Sequence, residues 1–497
     1  MMYSSTRDKS CRVTAAKAIA QGISAEGGLF VPEEFPAWDL KRLSSLVGKS
    51  YQEKAKAILS DFLTDFTPEE LSQCVESAYA PEKFDSENIA EISKVGEKAY
   101  LLELWHGPTC AFKDMALQLL PHLMTVSAKK TEPGKDIAVL VATSGDTGKA
   151  ALEGFKDVAG ARMLVFYPED GVSPMQKRQM TTQEGENLSV CAIRGNFDDA
   201  QTGVKKIFTD PEILAELEQN GWKFSSANSI NWGRLVPQIV YYIAAYTSLV
   251  EQEEIKLGEP VNVAVPTGNF GNILAAYYAK KMGLPMGRLI CASNRNKVLA
   301  DFITTGVYDR NREFFTTSSP SMDILISSNL ERLLYELSGR DDGEIREWFG
   351  KLSADGKYQV PAEVLQKLQA EFAGGSCDDE KTAETIGDIF REYGYLCDTH
   401  TAVAVRVWED YVKKTGDETK TIIASTASPY KFTADVLKAI TNEALPEDDF
   451  AQVSLLAEFS GMTPPASLLA LKEKPVRFTG SISKEEMGAF VRRQLGL

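Results

Sequence analysis

The sequence predicts an α/β protein with mostly parallel sheets, preceded by an N-terminal, mainly helical unit. Two observations carry the first part. Short apolar runs alternate with helix-length segments from residue 98 onward, and runs of that kind read as strands buried on both faces, where parallel strands sit. Several of those runs end in Gly/Ser/Thr turns that open the next helix, as strand–helix units require. The N-terminal unit rests on a third: residues 1 to about 95 lack this alternation and instead carry helical segments such as "PEELSQCVESAYA".

Within the first unit, "GGLFVPEEFP" is a Gly/Pro-punctuated loop. "KAYLLELW" is then the first strand of the alternating region, and "DMALQLLPHLMTVSAKK" a helix that Pro121 kinks, because proline lacks the amide proton a helix interior needs. "DIAVLVAT", "RMLVFYP" and "LSVCAIRG" read as strands, with "TGKAALEGF" as helix between the first two and helical segments after the third. The alternation resumes at "VNVAVPTGNFGN", followed by the helix "ILAAYYAKKMG" and the strand "RLICAS". A last strand, "KTIIAST", precedes the helix "TADVLKAI". Between about 306 and 397 the pattern breaks into a charged, helix-rich stretch that reads as an insertion.

Bulk properties narrow the function classes. At 497 residues the chain exceeds one compact core and predicts two or three packed units. Seventy acidic against 54 basic residues give a net charge of −16, a field that repels nucleic acid and anionic membranes. The seven cysteines (11, 74, 110, 191, 291, 377 and 397) are scattered without a C-x-x-C pair, which fits reduced thiols and not a disulfide frame or zinc site. The three histidines (106, 122 and 400) show no metal-ligand spacing, so no metal is expected. The N-terminus is polar and no apolar run reaches the roughly 20 residues of a membrane span, which predicts a cytoplasmic protein.

Three strand ends and one lysine carry the candidate chemistry. "VATSGDTGKAA" (141–151) opens a helix whose exposed amides attract anions, or is simply a capped turn. It is not a Walker A loop, since Thr143 stands five residues before Gly148 and Lys149 is followed by Ala150; nor does it have the G-x-G-x-x-G spacing of a dinucleotide loop. "PTGNFGN" (266–272) repeats the device, with Gly268 and Gly271 admitting close approach of a ligand to successive amides. "TIIASTASPYKF" (421–432) is a third strand end, rich in hydroxyls, with Thr426 a possible neutral ligand. Lys113, in "HGPTCAFKDMALQ", begins a helix, where the positive end of the dipole disfavours its ammonium and makes the neutral amine easier to reach. Such an amine can form a Schiff base with an aldehyde, although a solvated helix-end lysine has the same local pattern.

Taken together these segments resemble the threonine synthases, members of the tryptophan-synthase-β-like group of pyridoxal-phosphate enzymes. "STRDKS", "EGGLFVPEEFP", "HGPTCAFKDMALQ", "ATSGDTGKAA", "GNFDDAQTGVKKIF", "SANSINWGRLVPQIVYY", "PTGNFGNILAAYYAKKMGLP", "SMDILISSNLERLLYELSG" and "DTHTAVA" resemble the family's motifs and extend over most of the chain. Two positions depart: Asp8 stands where the family usually has glycine, and Ser428 where a histidine is usual.

The resemblance implies the type II pyridoxal-phosphate fold, two mostly parallel sheets flanked by helices, with an N-terminal helical domain at 1–95. It implies a large domain from 96–135 and 260–497, carrying the insertion, and a small α/β domain at 136–259. It implies that Lys113 holds pyridoxal 5'-phosphate as a Schiff base and later acts as base. The amides of Gly268, Asn269, Phe270, Gly271 and Asn272 would hold its phosphate, and Thr426 would face its ring nitrogen. Ser144, Gly145, Asp146 and Thr147 would lie near the substrate carboxylate, with Lys149, Arg234 and Lys431 as candidate cations for the substrate phosphate. Asp146 is the awkward member, expected either to cap its helix or to be protonated, since a carboxylate would repel an anionic ring oxygen. The implied reaction converts O-phospho-L-homoserine and water to L-threonine and phosphate, in a monomer or homodimer. Alternatives are a phospho-lyase or serine/threonine dehydratase of the same group, and a non-catalytic phosphate-binding protein on the same fold.

Overall fold

The computed structural model describes residues 1–143, 145–169, 172 and 174–497. Two sheets organise the chain. The larger has six strands in the order Phe372–Ser376, Met286–Ser293, Val261–Pro266, Thr421–Ser425, Ala99–Glu103 and Glu91–Val95. All neighbours are parallel except the last pair, an antiparallel hairpin turned at Gly96 with φ 70°. The smaller sheet is parallel throughout, in the order Ser481–Ile482, Leu188–Ile193, Ala161–Pro168, Asp136–Ala142 and Trp222–Ser225. Helices cover both, and the central strands Val261–Pro266 and Thr421–Ser425 are buried along their whole length. The expected α/β class with two mostly parallel sheets is the class observed.

The N-terminal unit is less helical than the sequence reading has it. Met2–Ser5, Asp8–Thr14 and Phe30–Pro32 form a three-stranded antiparallel sheet before the first long helix, Tyr51–Phe62. The strand Asp8–Thr14 is mostly polar and none of its residues is buried, so it has no apolar run to betray it. Asp8 opens this strand and accepts hydrogen bonds from the Ser10 amide (3.0 Å) and hydroxyl (2.6 Å).

The stretch 306–397 is not a purely helical insertion. It contains Phe372–Ser376, the edge strand of the six-stranded sheet, paired in parallel with Met286–Ser293. Its sequence, FAGGS, hides it because glycines replace the usual branched residues. A Cβ on Gly374 would stand 3.0 Å from the Ala300 backbone, and one on Gly375 2.6 Å from Val407 Cγ1, so the flanking helices leave room for nothing larger.

The boundaries 136–259 and 260–497 are crossed twice. Helix Trp232–Glu251 packs against helices Gly271–Met282, Tyr51–Phe62 and Asp114–Leu117, and is buried almost all round, which accounts for its apolar composition. Strand Ser481–Ile482, from the far end of the sequence, completes the smaller sheet, and helix Met487–Leu495 packs against Phe197–Thr209 beside it.

Candidate functional site

The lysine segment is knotted before it is positioned. Asp114 accepts the Thr109 amide at 2.8 Å and the Thr109 hydroxyl at 2.7 Å, closing 109–114 into a tight loop. Burial pushes the Asp114 carboxyl up to about 6, with the two Thr109 bonds and Lys431 pulling the other way. The loop is then zipped to the third strand end. Phe112 N donates to Thr426 O (2.8 Å), Ser428 N donates to Cys110 O (3.0 Å), and Ala111 pairs with Ala427. Ser428, at the family's histidine position, also caps the turn Pro429–Lys431 by accepting Tyr430 N.

Lys113 occupies the N-cap of the short helix Asp114–Leu117. Its Nζ donates to Ser321 Oγ at 3.3 Å and lies 3.7 Å from Asp146 Oδ2. Burial lowers its proton affinity, Asp146 opposes this, and the positive charges of Lys431 and Arg234 add to the lowering. Pro121 falls in the first turn of the next helix, Leu120–Thr131, so the expected kink is a break between two helices.

Asp146 begins helix Asp146–Phe155 and is buried. Its Oδ1 lies 2.7 Å from Lys431 Nζ and accepts Gln176 Nε2 at 3.3 Å. Burial disfavours the carboxylate, but Lys431 and Lys113 outweigh it and hold the group well below the ordinary carboxylate range. The two ammonium groups favour the ionised form of Asp146 over the protonated one, and the helix has no side-chain cap, so neither expected role, cap or protonated acid, fits this arrangement. The turn before it is held by Thr143 Oγ1, which accepts Gly145 N (3.0 Å) and Gly148 N (2.9 Å). Gly145 has φ 144°, and a Cβ there would strike the Gln176 amide at 2.4 Å. Thr147 is half-buried in the first turn of the helix. Ser144 lies outside the described residues.

The glycine turn 268–272 faces the same place. A Cβ on Gly268 would stand 2.6 Å from Ser321 O, so the residue that accepts from Lys113 also closes on this turn. Phe270 holds the left-handed conformation (φ 64°), which tilts the chain into helix Gly271–Met282 and presents its first amides. Asn272 is buried, its Oδ1 bonded to the Tyr242 hydroxyl and its Nδ2 without a partner. Asn329 donates to Asn269 O (3.1 Å) and Ser229 O (3.2 Å), and Ser327 donates to Gly268 O (2.7 Å), tying the turn to the segment before helix Leu330–Leu337. A close-approach glycine, helix-end amides, an orphaned side-chain donor and a desolvated amine fit pyridoxal phosphate.

Of the three candidate cations, only Arg234 is without a counter-ion. It is buried, its Nη1 donates to Ala227 O (2.6 Å), its Nε has no partner, and among the described residues no carboxylate pairs with it. Burial lowers it to about 10. Lys431 is held by Asp146 and Thr109 O (3.0 Å). Lys149 is not brought to Lys113: its ammonium lies 3.0 Å from Glu153 and bonds Gln183.

Sequence reasoning missed Ser321 and the pair behind it. Ser321 N donates to His400 Nε2 (3.1 Å), while His400 Nδ1 lies 2.8 Å from Asp398 Oδ2, so the ring presents Nε2 as acceptor. "DTHTAVA" contained Asp398 and His400, but nothing in it points to a serine in another segment.

Comparison with known proteins identifies the family. Three family models match: "Threonine synthase N terminus" over residues 2–79, "Pyridoxal-phosphate dependent enzyme" over 84–426, and "Threonine synthase, C-terminal" over 401–483. "Threonine synthase-like 1" of Homo sapiens is 41% identical over 459 residues, covering 90% of this chain and 61% of that protein, so the chain spans about three-fifths of that relative's length. The threonine synthase of Pseudomonas aeruginosa is 38% identical, covering 89% of this chain and 91% of its own. The crystal structure of pyridoxal-phosphate-bound threonine synthase from Brucella melitensis superposes with a TM-score of 0.88 at 34% identity, covering 100% of both chains. The chain belongs to the pyridoxal-phosphate-dependent enzymes and, among them, to the threonine synthase family.

Proposed function

We propose that this protein is a threonine synthase, converting O-phospho-L-homoserine and water to L-threonine and phosphate with pyridoxal phosphate bound at Lys113. The observation that carries the reading is a desolvated amine whose partner Ser321 closes on a glycine turn that can hold a phosphate, with a buried guanidinium near that amine that has no carboxylate partner among the described residues. Bound there, pyridoxal phosphate supplies an electron sink for charge that develops beside the substrate amine. The amides of 268–272 would hold its phosphate, and the Thr426 hydroxyl, too weak an acid to protonate a ring nitrogen, would face the ring. Lys113 Nζ, with its ammonium disfavoured by burial, takes the proton from the substrate Cα. Arg234 offsets the negative charge of the departing phosphate in a site that water enters little. Gly145 to Thr147 present their amides to the substrate carboxylate. Seven free cysteines, six of them buried, support a reducing compartment such as the cytoplasm. Among the described residues no helix is long and apolar enough to cross a membrane.

The test is phosphate release from O-phospho-L-homoserine with amino-acid and keto-acid products measured together. Threonine in step with phosphate is the expected result. Production of 2-oxobutyrate instead would make the protein a phospho-lyase, and the absence of both products would remove the reading.

A further inference from the structure

We propose that Lys431 is a positioning residue that acts through Asp146: it is the permanent counter-charge of that carboxylate and thereby leaves the Lys113 amine free to give up its proton. The inference rests on the reading of Lys113 as a nucleophile and base, and it assigns Lys431 a role other than holding the substrate phosphate.

The geometry is asymmetric. Asp146 touches two ammonium groups, Lys431 at 2.7 Å and Lys113 at 3.7 Å. The Lys431 side chain is 1% exposed, and its Nζ is also fixed by Thr109 O at 3.0 Å. A lysine so enclosed has no room to swing toward an arriving anion. Lys113 has looser contacts, a 3.3 Å bond to Ser321 and the longer ion pair, and its side chain is 13% exposed. The nearer, better-buried cation therefore belongs to Asp146.

The chemistry needs this division. A base or nucleophile at position 113 must pass through its neutral form. If Lys113 were the only cation beside Asp146, each deprotonation would leave a buried carboxylate unpaired, a costly state that would hold the proton on Lys113. With Lys431 fixed against Asp146, the pair stays neutral whichever form Lys113 takes. The other charged or polar groups facing this point act in known directions. Arg234, from helix Trp232–Glu251, disfavours the Lys113 cation. Gln176 donates to Asp146, and Asp114 is bonded to Thr109. The three parts come from separate motifs, so only the fold assembles them.

The experiment uses the full chain freed of cofactor and follows the rate at which added pyridoxal phosphate develops visible absorbance, as a function of pH. That rate reads the neutral fraction of the Lys113 amine, which condenses with the aldehyde to form C=N and release water. Lys431→Met is expected to move the midpoint up by about one pH unit, slowing uptake at neutral pH by about tenfold. Asp146→Asn is expected to move it down, and the double variant to return it to near the parent value. Lys431→Arg, which keeps the charge, is expected to leave the midpoint in place. An unmoved midpoint in Lys431→Met overturns the proposal. If that variant does not fold, an unmoved midpoint in Asp146→Asn does so. Reductive methylation of Lys113 by formaldehyde and cyanoborohydride, read by peptide mass spectrometry, gives the same midpoint without cofactor affinity entering. Shifted midpoints in a protein that forms no threonine would leave the counter-charge standing and remove the activity; threonine formation with fixed midpoints would do the reverse.

Discussion

Lys113, mostly enclosed, and Lys149, buried, live in opposite electrostatic settings. Around Lys113, Lys113 and Lys431 share Asp146, Lys431 also acts on the buried Asp114, and a third cation, Arg234, has no carboxylate partner among the described residues. Around Lys149, the ammonium has Glu153 at 3.0 Å, and Gln183 bonds both partners. The second cluster is complete without a ligand. The first is not, because a buried cation without a partner is costly unless something negative arrives. An imbalance of charge, more than the presence of a lysine on a helix, separates the candidate site from structural polarity.

The comparison is broken most directly at Lys113. Lys113→Ala should abolish the visible absorbance and lower turnover by at least roughly a thousandfold, since no neighbouring amine can replace it; a variant that stays yellow and active would remove the site. Arg234→Met should lower kcat/KM for O-phospho-L-homoserine by about a hundredfold or more, about 3 kcal/mol. Its thermal midpoint should not fall, because the change removes an unpaired buried charge; a large loss of stability would mean that Arg234 is structural. In the balanced cluster the pattern should reverse. Glu153→Gln should cost about 1–3 kcal/mol of stability by stranding Lys149, with turnover changed less than about threefold. That would be read by thermal unfolding beside steady-state kinetics.

The smallest effect is set by pH. His106 lies between Asp85 (2.6 Å) and Glu103 (2.8 Å); burial lowers it, but the two carboxylates dominate and raise it to about 9. A raised pKa gives stability that is fully present below about 6.5 and lost as the pH passes 9, at most about 2 kcal/mol given the exposure of Asp85. The thermal midpoint should therefore decline between those values, and His106→Gln should flatten the decline.

Much of the site was legible because its parts are contiguous. The lysine segment, the glycine turn and the hydroxyl-rich strand end each announce themselves by residue type, and the strands around them by apolar runs. What could not be read depends on distant segments meeting. Nothing local joins Ser321 to Lys113, His400 to Ser321, or Lys431 to Asp146. The role of Asp146, expected to be a helix cap or a protonated acid, is hidden for the same reason, since its counter-ion Lys431 arrives from another motif. The edge strand Phe372–Ser376 was missed because packing against two helices demanded glycine where strand patterns expect branched residues.

The late joining of Ser481–Ile482 to the smaller sheet has a consequence for synthesis. The neighbouring strand, Leu188–Ile193, leaves the ribosome about 290 residues earlier. At the ordinary pace of about 5–20 residues per second, that edge waits uncovered for roughly a quarter of a minute to a minute. During that interval the nascent chain offers an open β-edge to its neighbours, a window in which holding chaperones would earn their keep.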